Sequence, residues 1–226
     1  MRRPDNQDRT LTRKLAGGGA LLAVADGMGG AAAGGLAAEI AVRYLENALN
    51  GDTPQAGILS QALTEASREI TSFAKADATL DGMGTTLTVV AVHDGTASWA
   101  HVGDSRLYHL GVGGLRQISR DHRFLQDLID CGDVTLAELP GHPLRNVLDQ
   151  CLGCPGVRPD SGSFAVGPHE LLLLTSDGVH DHVLPDRMAE LLLSAMSLED
   201  MAQALITEAR QRGSTDDLSA VLCRVV

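Results

Sequence analysis

Aspartates at the ends of apolar, strand-like runs are the feature that most constrains how this chain folds. The pattern recurs four times, each time beside a small residue or another aspartate, at Asp26, Asp104, Asp177 and Asp216. An Asp-Gly pair taken alone is more often a simple turn. Because strand ends on one edge of a sheet converge in space, four repeats of the pattern favour a shared site where the carboxylates meet.

A cluster of carboxylates predicts a site for hard divalent cations. Bare carboxylates a few ångströms apart repel each other and raise each other's pKa values. Mg²⁺ and Mn²⁺ relieve this repulsion because they prefer oxygen ligands and retain water. No set of Cys and His accompanies the aspartates, so the sequence indicates Mn²⁺ or Mg²⁺ rather than zinc, and it leaves the choice between those two ions open.

The order of the apolar patterns predicts an α+β fold. Strand-like runs are interrupted by two pairs of helical patterns, at about 32–50 with 54–76 and at about 185–196 with 198–213. This order differs from the regular strand–helix alternation of a parallel sheet, and it favours antiparallel sheets with helices packed outside. The expected strands are at about 21–25, 85–92, 98–102, 106–110, 170–175 and 218–226.

The length of 226 residues fits one globular domain over 1–226. The least regular part is a flap-like excursion at about 122–156, with a short helix expected near 124–131. The net charge of -11 argues against nucleic acid as a partner. No apolar run approaches the roughly 18–20 residues of a membrane helix, and the polar start of the chain does not resemble a secretory signal.

The cysteine pattern favours a reduced, cytoplasmic protein. Four cysteines in a chain of this size do not look like a disulfide framework. Cys151 and Cys154 have CxxC spacing, which leaves a zinc or redox site open as an alternative. Neither a second CxxC nor a helix start accompanies it, so we expect Cys151, Cys154, Cys131 and Cys223 to be reduced.

Seven short motifs in series give the chain a family resemblance. It resembles the bacterial metal-dependent protein phosphatases of the type 2C serine/threonine class, nearly end to end. The motifs are Arg3-Pro4-Asp5-Asn6-Gln7-Asp8, Asp26-Gly27-Met28-Gly29-Gly30, Met83-Gly84-Thr85-Thr86, Val102-Gly103-Asp104-Ser105-Arg106, Asp121-His122, Ser176-Asp177-Gly178 and Gly213-Ser214-Thr215-Asp216-Asp217.

The resemblance implies a fold and a role for each matching residue. The fold is a central sandwich of two mainly antiparallel β-sheets, flanked by pairs of antiparallel α-helices. Two Mn²⁺ or Mg²⁺ ions are implied at the core site, with a third beside them. By resemblance, Asp26 bridges two metals, and the backbone carbonyl of Gly27 ligates one of them. Asp177 and Asp216 complete the shell of the other metal, and Asp8 contacts the metals through water. Asp104, with Asp177, holds the third metal, and Arg3 binds the substrate phosphate.

The resemblance also implies a function, with two alternatives. The implied reaction is hydrolysis of phosphoserine and phosphothreonine in proteins by a metal-activated water, reversing a bacterial Ser/Thr kinase, and we expect a monomer. One alternative is a catalytically silent relative that binds phosphoproteins or regulators. The other is a phosphatase of small phosphomonoesters that uses the same site.

Three positions depart from the family pattern. Met28 stands where eukaryotic members have a histidine, and methionine cannot protonate the leaving oxygen. Gln7 replaces the more usual glutamate and brings no charge. Asp217 stands where asparagine is usual, and its carboxylate is either a ligand or solvated.

Two further residues match the family pattern. Asp181 matches a family aspartate near the metals, and we interpret His122 as structural.

Overall fold

Antiparallel sheets form the centre of the molecule. The computed structural model describes residues 6–15, 18–29, 33–49, 54–135, 138 and 141–226. Every strand pair within these ranges is antiparallel. Two main sheets and one two-stranded ribbon result.

The first main sheet has five strands, and the ribbon continues from it. The sheet's spatial order is β1-β2-β5-β6-β9, and the ribbon pairs β3 with β4. The bounds are β1 Arg9–Lys14, β2 Ala20–Ala25, β3 Gly27–Met28, β4 Gly84–Thr85, β5 Leu87–His93, β6 Thr96–Val102 and β9 Asp160–Ala165.

The second main sheet has four strands, in the order β11-β10-β7-β8. Its central strand β10 is Leu171–Thr175, an apolar run buried at every position. A continuous apolar run of this kind is what a strand covered on both faces requires. The other bounds are β7 Arg106–Gly111, β8 Gly114–Gln117 and β11 Ala220–Arg224.

Amphipathic helices cover the outer faces of both sheets. The buried positions of the second helix, at Leu59, Leu63, Ala66 and Ile70, recur at helical spacing. Ser197 caps the N-terminus of the last helix, since its side chain accepts a hydrogen bond from the backbone N–H of Asp200 at 3.1 Å. The bounds are α1 Ala33–Ala48, α2 Ala56–Ala76, α3 Gln126–Asp130, α4 Asp177–His180, α5 Pro185–Leu192 and α6 Leu198–Gln211, with a 3₁₀ turn at Ala78–Leu80.

Three buried layers confirm the predicted α+β sandwich. The first layer packs α1 and α2 against the five-stranded sheet, around residues such as Ile40 and Leu63. The middle layer fills the space between the two sheets, with Val90 and Leu172 among its members. The third packs α4, α5 and α6 against the four-stranded sheet. The order is therefore helices, sheet, sheet, helices.

Strand β9 and helix α4 are among the elements that were not predicted from the sequence. Strand β9 reads DSGSFA and is exposed or half-buried along its length, because it is an edge strand, so it lacks the apolar run of a buried strand. Helix α4 has only four residues, which is too short for any helical periodicity. Within the described residues, no helix is both long and apolar enough to cross a membrane.

The expectation of four reduced cysteines is wrong for one pair. Cys151 and Cys154 form a disulfide, with their Cα atoms 5.4 Å apart, which lies in the range that a disulfide spans. Cys131 and Cys223 are free thiols. The bridge closes only a tight local turn, so it is not a framework joining distant parts of the chain.

Candidate metal centre

The loop after β2 carries Asp26, and two threonines hold its backbone. The carbonyl of Asp26 accepts hydrogen bonds from the backbone N–H of Thr86 and from the hydroxyl of Thr85, both at 2.9 Å. In return, the N–H of Asp26 donates to the hydroxyl of Thr86 at 3.0 Å. The polar backbone groups of this residue are thereby satisfied.

The turn between β6 and β7 carries Asp104 and packs against one of the same threonines. Gly103 has a φ of 106°, and a Cβ there would lie 2.5 Å from Cγ2 of Thr86. The hydroxyl of Thr86 forms a hydrogen bond with that of Ser105 at 2.7 Å. On the other side of the turn, the backbone N–H of His122 donates to the carbonyl of Gly103 at 2.7 Å. Thr86 therefore joins the Asp26 and Asp104 loops.

A serine at the end of β10 connects three distant segments. The hydroxyl of Ser176 donates to Oδ2 of Asp8 at 2.8 Å and accepts from the backbone N–H of Ser219 at 2.9 Å. The backbone N–H of Ser176 donates to the carbonyl of Ser219 at 3.1 Å. Asp177 follows directly as the first residue of α4. This clamp brings Asp8 from the start of the chain next to Asp177.

The segment after α6 is fixed by a close backbone contact and by Asp217. A Cβ on Gly178 would lie 2.1 Å from the carbonyl oxygen of Asp217, so only glycine allows this approach. Oδ2 of Asp217 accepts from the backbone N–H of Gln7 at 2.9 Å. The carboxylate of Asp217 thus ties the N-terminal segment to the Asp216 loop. The sequence had left open whether this carboxylate is a ligand or is solvated.

The five predicted carboxylates act on one another electrostatically. Burial raises the pKa of Asp26 well above its ordinary value, and repulsion from Asp8, Asp177, Asp104 and Asp216 raises it further. Burial likewise raises the pKa of Asp8 to about 6 and that of Asp177 to about 7. The structure therefore brings residues from five separate stretches of sequence into one negatively charged centre.

The donor set of this centre fits divalent cations that retain water. Oδ1 of Asp8 and Oδ1 of Asp177 are buried and have no hydrogen-bond partner within the described residues. A buried carboxylate oxygen without a partner is costly, and a cation satisfies it. No three His, Cys, Asp or Glu side chains of the described ranges already surround one ion position. Mn²⁺ and Mg²⁺ sites keep several waters and use few direct protein ligands, so the two unpartnered carboxylate oxygens suit them.

Comparison with known proteins identifies the family. A family profile described as Protein phosphatase 2C matches residues 3–223. The chain belongs to the protein phosphatase 2C family. It is 34% identical over 209 residues to the serine/threonine phosphatase stp of Listeria monocytogenes, an alignment that covers 89% of this chain and 83% of that protein.

Two solved structures show the same fold across the whole chain. The serine/threonine phosphatase of S. agalactiae superposes with a TM-score of 0.91 at 30% identity, covering 100% of this chain and 96% of the other. The catalytic domain of PstP, solved in complex with two manganese ions, superposes with a TM-score of 0.88 at 31% identity, covering 100% and 94%. Family membership and the buried carboxylates thus point to the same cofactor, Mn²⁺ or Mg²⁺.

An arginine lies inside the carboxylate cluster of this protein phosphatase 2C. Nε of Arg123 donates to Oδ2 of Asp104 at 2.8 Å, and Nη2 donates to the two oxygens of Asp181 at 3.2 and 3.3 Å. Behind it, Asp121 is held by Arg106 through three hydrogen bonds between 2.7 and 3.1 Å. The Asp121-His122 motif therefore lies next to the carboxylate cluster.

The structure brings the five predicted aspartates together and adds one residue that was not predicted. Arg3, the predicted phosphate-binding residue, lies outside the described residues. Arg123 was not predicted, although it directly follows the Asp121-His122 motif. The sequence signal was only this adjacency, because one arginine in an irregular segment is usually a solvated surface residue.

Proposed function

We propose that the chain is a metal-dependent protein phosphatase that removes phosphate from phosphoserine and phosphothreonine in other proteins. One observation carries the proposal: carboxylates from five separate segments converge, and two of their buried oxygens, on Asp8 and Asp177, lack a partner. Folding alone would not favour such a centre, because burying like charges is costly. A bound divalent cation offsets that cost, and the family's relatives named serine/threonine phosphatase supply the reaction class.

Four of the five carboxylates have a proposed role in binding cations at this centre. Asp26 would contact two ions and the backbone carbonyl of Gly27 one of them, and Asp177 and Asp216 would complete the contacts of the other. Asp8 acts through ordered water, in keeping with its remaining hydrogen bond to Ser176. Arg3 is the proposed phosphate-binding residue.

The chemistry divides between the cations and the chain. When bound, the cations supply Lewis acidity, neutralise phosphoryl charge and lower the pKa of coordinated water. The chain's part is positioning: Thr85 and Thr86 fix the backbone of Asp26, and Ser176 fixes Asp8. The fork of an arginine such as Arg3 can engage two phosphate oxygens. Met28 carries no transferable proton, so a water held at the centre or bulk solvent would supply the proton for the leaving serine or threonine oxygen.

The biological setting follows from the reaction. A protein phosphatase of this kind requires a Ser/Thr kinase that makes its substrates, so we propose that the chain reverses a bacterial Ser/Thr kinase and acts on the kinase and its targets. We further propose a single catalytic domain that acts as a monomer in the cytoplasm. Size-exclusion chromatography with light scattering tests the monomer directly, and a dimer mass would contradict it.

The deciding experiment measures phosphate release from a phosphothreonine peptide with Mn²⁺, with Mg²⁺ and with excess chelator. We expect release that requires the metal and that disappears in Asp26→Ala and in Asp177→Ala. Asp133→Ala is a matched control, because this exposed aspartate lies in the irregular segment after α3, and we expect it to keep the activity.

Each other outcome identifies a different function. Release in the presence of chelator, or in Asp26→Ala, would contradict the proposal. Tight phosphopeptide binding without turnover in saturating Mn²⁺ would indicate a silent phosphoprotein-binding regulator. Faster turnover of nucleotides than of phosphopeptides would indicate an enzyme for small phosphomonoesters.

A further inference from the structure

Arg123 is placed as a cation within the metal centre, not as a surface residue. Its side chain is only 9% exposed and that of Asp104 only 7% exposed, and their 2.8 Å hydrogen bond is buried. The same guanidinium contacts Asp181, and Asp121 lies 3.8 Å from its Nε. The charge that Arg123 compensates therefore comes from three aspartates.

The contacts of Arg123 compete with the expected third ion. The family resemblance leads us to expect that Asp104, with Asp177, holds a third divalent cation. Oδ2 of Asp104 already accepts a short, charge-assisted hydrogen bond from the guanidinium. A divalent ion bound by Asp104 would compete with that bond for Oδ2 and would lie close to a fixed positive charge, so the residues present do not fit a third ion.

The backbone around Arg123 keeps the guanidinium in place. Arg123 forms a β-bridge with Leu148, and the next residue, Phe124, donates its N–H to the carbonyl of Val147 at 2.8 Å. Before it, the N–H of His122 is bonded to the Asp104 turn through Gly103. Because both flanking residues are tied down, the main chain of Arg123 is held beside the Asp104 turn, within reach of the aspartates.

We propose that Arg123 is a built-in cation that occupies the third cation position of this centre, so that the chain binds two divalent ions and not three. This inference rests on the proposed function and concerns the same centre. Arg123 is here a positioning residue: it neutralises Asp104 and Asp181 and connects the segment after Asp121 to the metal centre.

The test counts bound Mn²⁺ by following the electron paramagnetic resonance signal of the free ion during a titration. We expect two Mn²⁺ per wild-type chain at saturation and three in Arg123→Gln, because the variant leaves Asp104 and Asp181 uncompensated. Arg123→Lys keeps the charge and should stay at two. Arg120→Gln is the matched control: Arg120 also pairs with two aspartates, Asp127 and Asp130, but it is exposed, and its loss should leave the count at two.

The remaining outcomes each decide the question. Three Mn²⁺ in the wild type, or two in a folded Arg123→Gln, would overturn the inference and leave the proposed function intact. No Mn²⁺ binding by the wild type would instead overturn the proposed function. If Arg123→Gln fails to fold without metal, its circular dichroism in a Mn²⁺ titration decides: we expect Mn²⁺ to restore the fold, and no recovery at saturation would overturn the inference.

Discussion

Two neighbouring glycines at the start of α1 differ sharply in their surroundings. A Cβ on Gly34 would lie 2.7 Å from the carbonyl carbon of Gly27 and 2.8 Å from the N of Met28, whereas ordinary van der Waals contact begins at 3.4 Å. These atoms belong to the backbone and cannot rotate away. A Cβ on Gly35 would meet its nearest atom, Nη2 of Arg9, at 3.6 Å. The two positions should therefore respond in opposite directions to the same methyl group.

We expect Gly34→Ala to destabilise the protein and Gly35→Ala to leave it unchanged or stabilise it. Overpacking costs about 1–3 kcal/mol, and replacing glycine in a helix returns about 0.5–1 kcal/mol. The net loss for Gly34→Ala is thus up to about 2.5 kcal/mol, or up to about 10 °C in melting temperature at about 2–4 °C per kcal/mol for a chain of this size. The gain for Gly35→Ala is at most about 1 kcal/mol.

The assay is thermal unfolding of both variants and the wild type, with chelator and again with Mn²⁺. The displaced peptide in Gly34→Ala includes the carbonyl of Gly27, a proposed metal ligand, so we also expect a smaller rise in melting temperature on adding Mn²⁺. Gly35→Ala should keep the full rise. Equal melting temperatures and equal Mn²⁺ responses in the two variants would refute the argument that a backbone contact between Gly27 and Gly34 shapes the centre.

Three further predictions test the electrostatics and the disulfide. In chelator at pH 7.5, Asp177→Asn should have a free energy of unfolding about 1–4 kcal/mol above that of the wild type. The pKa of Asp177 is raised to about 7, so ionisation of this side chain destabilises the folded wild type as the pH rises from 4 to 7, and asparagine removes the charge. A urea titration in which the variant is less stable would contradict this. Burial lowers the pKa of His101 to about 4, so the unfolded chain binds more protons than the folded chain between pH 4 and 6.5. The free energy of unfolding should therefore fall by up to about 3 kcal/mol as the pH drops through that window. His101→Gln should lack this part of the pH dependence, and an equal pH dependence in the variant and the wild type would argue against it. Cys154→Ser should lower the free energy of unfolding by about 2 kcal/mol, because the disulfide closes a four-residue loop. Dithiothreitol should destabilise the wild type by the same amount and leave Cys154→Ser unaffected. A wild type whose stability is insensitive to the reductant would count against the bridge.

The sequence predicted the parts of this fold that have strong local signals. The apolar run of β10 and the amphipathic patterns of α1, α2 and α6 were visible because each buries a continuous face. The edge strand β9 was missed because its polar residues carry no such signal. Asp26, Asp104 and Asp177 were singled out for a similar reason, since each comes where an apolar run ends abruptly.

The partners that hold the aspartates could not be predicted, because they depend on contacts across the whole chain. Ser176 bonds to Asp8 across a separation of 168 residues, and Gln7 bonds to Asp217 across 210. The role of Arg123 is equally non-local, since its ion pair with Asp181 joins residues 58 positions apart. Nothing in the residues near Arg123 distinguishes it from the solvent-exposed Arg120 three positions earlier.

Close backbone contacts explain why the motifs of this chain combine glycine with aspartate. Gly27 approaches Gly34, Gly103 approaches Thr86, and Gly178 approaches the backbone of Asp217, each at a distance that a Cβ would prohibit. Each of these glycines adjoins an aspartate of the proposed metal centre, namely Asp26, Asp104 and Asp177. The glycines therefore set how near the loops can come, and the aspartates use that proximity. Because repulsion between the carboxylates opposes the same proximity, packing and cation binding must stabilise the centre together.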